Sequence, residues 1–406
     1  MVDALADAGH DVFYEWSTRR GRRHLDAVVQ QVEFDLLLTG DGVLASNDAT
    51  GMLPGTPRRL DYVFNDIDEV VQERGRLDLD ATLERERAWL VTMDRGVQRT
   101  LEAHGTHRVV HVPFALPPRS VSSGAYYRTR FGLRRFGWQR DRRPVDIPFA
   151  RVRQAASGFI PRERTTELVF LGECEYGMTD TMLREMAERV RGALSPATSN
   201  DVIRAFDAQL PSLAALGVDR AAALADEMLR DTVGDLMEDP LHATGLTVFR
   251  ARLLAQFRAY RRLELVRTLV RHFGPRLVLV GDHFRRFGLP ALPNDFRGAS
   301  RRYWRSRVAV DFGSNSFDCS IHPRVARVVA CGACVVQREQ ADAEVWRDAT
   351  GCRTFTTADE MVHRIERVLG DDSLRETLVT QQFALGNTSL SWRESCALLL
   401  GSARGP

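Results

Sequence analysis

The sequence predicts an α/β protein built from two doubly wound domains that face each other across a cleft. Three observations carry that expectation. Short apolar runs alternate with amphipathic helical patterns along most of the chain, the signature of βαβ units around a parallel sheet. The alternation comes in two series, and a stretch that follows neither period separates them. The 406 residues, 44% of them hydrophobic, are enough for two to three ordinary cores at roughly 150 residues each.

In chain order, residues 2–8 read as a helix closed by Gly9 and followed by a short strand at 12–14, an unusual opening for a doubly wound domain, which ordinarily starts with a strand and a glycine turn. Strands are expected at 34–39, 60–65, 88–92 and 108–113, then in the second series at 167–171, 276–280, 307–312 and 334–337. Leu183, Met186, Ala187, Val190 and Leu194 recur at helical spacing, as do Met361, Ile365, Val368 and Leu369. Thr357 with Glu360, and Ser373 with Glu376, have capping-box spacing and mark two late helix starts. Residues 195–272 read as a helical insertion, because their apolar positions recur without strand-like runs. The expected division is therefore 1–118, a connector at 119–155, a second domain at 156–375 carrying the insertion, and C-terminal helices at 376–406.

The connector is the most basic part of the chain. Between Arg119 and Arg153 stand ten arginines against two aspartates, interleaved with Tyr126, Tyr127, Phe131, Phe136 and Trp138. Arginines beside aromatics suit stacking on bases or an anionic surface, but Gly132, Gly137 and the closing prolines read as an interdomain connector. The whole chain has a formal net charge of only +2, which argues against nucleic acid as a partner. All 56 basic residues are arginine, so chemistry that needs a lysine amine is excluded: the Walker phosphate loop, the kinase strand lysine and a pyridoxal Schiff base. No apolar run approaches the ~20 residues of a membrane helix. The start lacks a secretory pattern, and six cysteines suit a reducing compartment, so a cytoplasmic location is expected.

Residues 308–336, VAVDFGSNSFDCSIHPRVARVVACGACVV, resemble the donor-binding segment of two-domain glycosyltransferases of the GT-B type, most nearly the spore maturation protein-like (CgeB-like) branch. ELVFLGECEYG resembles the first strand and loop of that family's C-terminal domain, PRLVLVGDHF a later strand ending in glycine, and NDFRGASRRYWRSRVAV the segment before the asparagine loop. LADAGHDV, FDLLLTGDG and VVHVPFAL are similar to N-terminal elements of the family. The resemblance implies a GT-B architecture of two Rossmann-like domains. It also implies transfer of a sugar from a nucleotide-sugar co-substrate to an acceptor of unknown identity, with no metal or other cofactor. Alternatives are a nucleotide- or anion-binding protein without catalysis and a nucleotide-sugar epimerase. One departure is marked. Such families commonly place a ribose-holding glutamate five residues before the glycine of the Cys-Gly pair, and some another eight residues earlier; here these positions are Arg327 and Cys319.

A nucleotide sugar presents a pyrophosphate, which helix N-termini and arginine forks attract. The loop with Ser314 and Asn315, the helix start at His322-Pro323, Arg324, and Gly332 of the Cys-Gly pair form the expected donor segment. Gly172 with Glu173 and Gly281 with Asp282 follow strands, where glycine lets a ligand approach the backbone, and join the donor side. On the acceptor side, Asp41 and then Asp66 follow strands and are the candidate catalytic bases, each also readable as a loop aspartate. Cys319, His322, Cys331 and Cys334 have zinc-like spacing, but the residues between them read as a compact helix and a buried strand, which favours buried cysteines without metal.

Overall fold

The computed structural model describes residues 36–40, 58–63, 83–84, 88–103, 106–112, 164–174, 176–177, 194–216, 218–234, 240–294, 299–313, 319–341, 353–387 and 392–404. The expected helix at 2–8, the strand at 12–14, the helix over 183–193, the connector at 119–155, and Asp41, Asp66, Ser314 and Asn315 lie outside these residues.

Among the described residues, two sheets with parallel pairing throughout organise the fold. The first contains β1 (Leu36–Gly40), β2 (Arg58–Val63), β3 (Ala88–Thr92) and β4 (Val109–His111), hydrogen-bonded in that order. Helix α1 (Arg95–Ala103) connects the last two strands. The four described strands follow sequence order, so the reversal that defines a doubly wound sheet does not fall among them. β2 begins earlier than the expected 60–65 because Arg58 and Arg59 pair with Leu36 and Leu37; ladder bonds are made by the backbone, which a charged side chain does not prevent.

The second sheet contains β5 (Thr166–Leu171), β6 (Leu277–Val280), β7 (Ser306–Asp311), β8 (Cys334–Arg338) and the two-residue β9 (Thr354–Phe355). Its order is β6-β5-β7-β8-β9. Counted within the unit this is 2-1-3-4-5, a doubly wound order whose switch point lies between β5 and β7. Alternate side chains supply two cores. Leu168 and Phe170 of β5, Val308 and Val310 of β7, and Cys334 and Val336 of β8 face one core, closed by Val266, Leu269, Ile365 and Val368. Val169, Leu171, Ala309 and Val335 face the other, closed by Tyr303 and Trp304 of α5 (Ala299–Arg305) and by Val325, Val328 and Val329 of α6 (Pro323–Ala330). Beyond the reach of β9, the Gln382 carboxamide takes the place of a strand: it accepts from Val335 N at 3.4 Å and donates to Val335 O at 3.3 Å.

The insertion is helical as expected: α2 (Pro196–Leu216), α3 (Val218–Val233) and the 34-residue α4 (Pro240–Phe273) pack around Phe206, Leu210, Leu229, Phe249 and Phe257. The far end of α4 leaves that bundle and covers one face of the second sheet. Helix α7 (Ala358–Gly370) starts with the expected capping box, Thr357 Oγ1 accepting from Glu360 N while the Glu360 carboxylate reaches back to Thr357 N. The next start differs from expectation. Helix α8 (Asp372–Asn387) is capped by Asp371, which accepts from Leu374 N at 2.9 Å, so Ser373 lies inside the first turn. The capping-box spacing of Ser373 and Glu376 masked the aspartate two residues earlier. The last helix, α9 (Trp392–Arg404), returns to pack against β2 of the first sheet.

Candidate functional site

In an open parallel sheet, ligands sit outside the carboxyl ends of the strands at the switch point. Here that point is where the chain leaves β5 at Gly172 and β7 at Phe312 and Gly313. A first constraint is how closely the strand ends approach. Gly281, after β6, has φ of +154°, and a Cβ there would run into the Gly172 carbonyl oxygen and stand 2.8 Å from the Phe284 ring. Only glycine fits.

The buried charges at the switch point come from three elements. Arg262, on α4, is 6% exposed and donates to the Glu173 carbonyl at 3.0 Å and the Gly313 carbonyl at 2.6 Å, tying together the chain segments that leave β5 and β7. Burial, reinforced by Arg324, lowers its pKa to about 10, so it stays cationic at neutral pH. Asp311, the last residue of β7, is 1% exposed; one oxygen accepts from Arg324 Nη1 at 3.0 Å and the other from Gly313 N at 2.8 Å. Burial alone would raise its pKa, but Arg324, His322, the Gly313 amide and Arg262 together outweigh it and hold the carboxyl below its ordinary value. His322 caps α6: its Nδ1 accepts from Arg324 N at 3.0 Å, which leaves the ring proton on Nε2. Burial, with Arg324, pushes its pKa down to about 3, so the ring is neutral. Two guanidinium groups against one carboxylate leave this cluster with one positive charge.

The first unit reaches the same place. Met93, just past β3, joins the core beneath α6, and the buried Asp94 caps α1 by accepting from Val97 N at 3.0 Å. The other Asp94 oxygen accepts from the backbone amides of Cys319 at 2.9 Å and Ser320 at 2.8 Å, immediately before α6. Arg99 Nη2 approaches Cys319 Sγ at 3.5 Å. A carboxylate of one unit thus sits on two consecutive amides of the other.

Gly172, Glu173, Gly281, Asp282, His322 and Arg324 therefore share one edge of the second sheet. A Cβ on Gly172 would stand 3.5 Å from Arg324 Nη1. Glu173 is committed to the neighbouring turn, accepting from Asp282 N at 3.1 Å and facing His283 Nδ1 at 3.3 Å, while Asp282 accepts from Asn294 N at 2.8 Å. The backbone amides of Cys319, Ser320 and Arg324 are also engaged, by Asp94 and by His322, and the Arg324 guanidinium is the charged group this helix start offers an anion. Gly332 does not join the group. It lies at the opposite end of α6, before β8, where its φ of +74° turns the chain and its carbonyl accepts from Arg164. Among the described residues no three His, Cys, Asp or Glu side chains come together to hold a metal ion, and Cys331 and Cys334 are both fully buried.

Sequence reasoning missed Arg262, Asp311 and Asp94. Arg262 is one of seven arginines on α4, and periodicity alone does not single it out. Asp311 carried a usable signal, an acidic residue ending a buried strand just ahead of Phe312-Gly313.

The sequence profile of a family described as Glycosyl transferase-like matches residues 259–394, about a third of the chain. The match runs from the part of α4 that carries Arg262 through α8 and includes Asp311, His322 and Arg324. The chain thus carries a glycosyltransferase-like domain, a class that takes a sugar donor and an acceptor. No curated protein matches the chain significantly.

Proposed function

We propose that the protein is a glycosyltransferase of two-domain GT-B architecture that binds a nucleotide-sugar donor at the β5/β7 switch point. The observation that carries this reading is the coincidence of two independent features. The glycosyltransferase-like segment and the doubly wound switch point meet at one cluster, and that cluster presents the Arg324 guanidinium, a group suited to a diphosphate. The Arg324 guanidinium has five N–H donors and uses one on Asp311, so a fork remains for phosphate oxygens. As the sugar departs, negative charge grows on the diphosphate; Arg324 and the α6 dipole oppose it without a metal. Asp41 and Asp66, which follow strands of the first sheet, are the proposed bases for the acceptor. The return of α9 to β2 supports two units working as one body.

The test is a panel of UDP, GDP, ADP and dTDP and their sugar conjugates, read by thermal shift and by donor hydrolysis. The cognate nucleoside diphosphate stabilises the fold by about 2.7 kcal/mol at a hundredfold excess over its Kd. A chelator leaves turnover unchanged. No shift with any nucleotide would overturn the reading. Arg327, at the position where such families commonly hold the ribose with glutamate, favours a second reading, a nucleotide-binding protein without catalysis; binding with no hydrolysis or transfer in the presence of any acceptor selects it.

A further inference from the structure

Two glutamines at the carboxyl edge of the second sheet have no part in the cluster just described. Gln337 is 1% exposed, and neither its Nε2 nor its Oε1 has a hydrogen-bond partner. It is the register partner of Asp311 on the adjacent parallel strand, so the two Cα atoms are about 4.8 Å apart and both side chains leave the same face. That face is the one α6 covers, since Val335, two residues earlier, packs against α6. Gln340 is 5% exposed, and its Nε2 also lacks a partner. It lies against the Gly313 backbone, where a Cβ would stand 2.6 Å from that nitrogen. Gly313 is held there from three sides: its φ is +80°, its amide donates to Asp311, and its carbonyl accepts from Arg262.

Buried carboxamides without partners weaken a fold, and a methionine or leucine of similar volume would suit these positions better if packing were their only role. Both stand beside residues that hold the switch point together, and both are uncharged. A carboxamide with its donor and acceptor both free matches a ligand group that offers an acceptor and a donor side by side. Phosphate, which only accepts, leaves the amide oxygen unused.

We infer that Gln337, supported by Gln340, is the specificity element of the donor site, hydrogen-bonding an uncharged donor–acceptor portion of the nucleotide sugar while the arginine cluster takes the diphosphate. The inference rests on the donor-binding reading above and assigns its neutral half. Two parts of the donor carry that chemistry, the sugar hydroxyls and the nucleoside's hydroxyls or base lactam edge.

The experiment compares wild type with Gln337→Met by calorimetric titration and thermal melting, using the nucleoside diphosphate that wild type binds and its glucose conjugate as probes. Gln337→Met keeps or raises the melting temperature and weakens binding at least tenfold. Weakening confined to the glucose conjugate assigns the amide to sugar hydroxyls; equal weakening of both probes assigns it to the nucleoside. Unchanged affinity for both probes overturns the inference, as does a lowered melting temperature with unchanged affinity, the mark of an amide satisfied within the fold. If Gln337→Met does not fold, the amide is structural and the inference falls for that residue; Gln340→Leu, read in the same way, decides for the other. Absence of binding by wild type is a different failure, since it removes the donor-binding reading itself.

Discussion

Arg324 and Asp311 can be separated by mutation because the guanidinium sustains the charge of the buried carboxylate. Asp311 has almost no contact with water, and its carboxylate is sustained by Arg324 together with the Gly313 amide and Arg262. Removing the guanidinium with Arg324→Ala leaves a buried carboxylate short of its main partner, at a cost of about 3 kcal/mol, the lower end for breaking such a pair. It also weakens nucleotide binding by about ten- to a hundredfold, because a charge-assisted fork is lost. Arg324→Lys recovers stability better than affinity, since a point charge can pair with Asp311 but cannot grip two phosphate oxygens. The pH dependence has a fixed sign. In wild type the depressed carboxyl pKa stabilises the fold above the ordinary carboxylate range, and that contribution is lost as pH falls through the depressed value. In Arg324→Ala, burial dominates and the carboxyl pKa rises, so the stability gap between the proteins is widest near pH 7 and narrows toward pH 4. Denaturant midpoints at both pH values check this; a gap constant with pH would show that Asp311 does not carry the effect. At this scale the sequence was partly legible. The Pro323 helix start and Arg324 stand out because proline and a following arginine have a local meaning. Asp311 and Arg262 acquire theirs only from strands and helices that meet in space.

Among elements, strands with continuous apolar runs could be read closely: β3 spans the residues expected, and β5 differs by one residue at its start. β9 was invisible because two residues make no pattern; Thr354 and Phe355 become a strand only through pairing with Gln337 and Arg338. The junction between the units was equally hidden, since nothing local marks Asp94 as the acceptor for amides more than 200 positions away. That junction gives a prediction at the same scale. Asp94→Ala removes one acceptor from three backbone amides, those of Val97, Cys319 and Ser320, and Asp94→Asn preserves part of the set. Loss of the α1 cap alone costs about 1 kcal/mol. Because the two remaining amides belong to the other unit, hydrogen exchange in Asp94→Ala accelerates both at 97–99 and at 319–322. Acceleration only within α1 would mean that the contact between units contributes nothing.

For the whole molecule, the two-sheet α/β class and the helical insertion were legible because hydrophobic periodicity is a property of long segments. The strand order was not, since alternating strands and helices are compatible with many orders and only the hydrogen-bonded pairs reveal the switch point between β5 and β7. The insertion also proves to be more than an appendage. Its helix α4 runs from the core it shares with α2 and α3 onto the second sheet, and it engages the segment after β5 by three routes. Gln256 accepts from Gly177 N at 3.0 Å, Cys174 Sγ donates to the Ala259 carbonyl at 3.6 Å, and Arg262 spans Glu173 and Gly313. Arg262 is the only one of the three that also reaches β7's exit. Replacing it with methionine keeps the hydrophobic stem but leaves two carbonyls without their charged donor, a loss of about 3 kcal/mol if each such bond is worth roughly 1.5 kcal/mol. The effect is not confined to stability. With the strand exits no longer tied, the Arg324 cluster and the glycine turns at 172 and 313 lose their fixed spacing, so nucleotide affinity falls even though Arg262 is buried behind the carbonyls it holds. Arg262→Lys, which keeps the charge but lacks the fixed fork that holds both carbonyls, recovers part of the stability and less of the affinity. Melting temperature and nucleotide Kd measured on both variants test the coupling, and an Arg262→Met protein that binds nucleotide as wild type does would reduce α4 to a packing element.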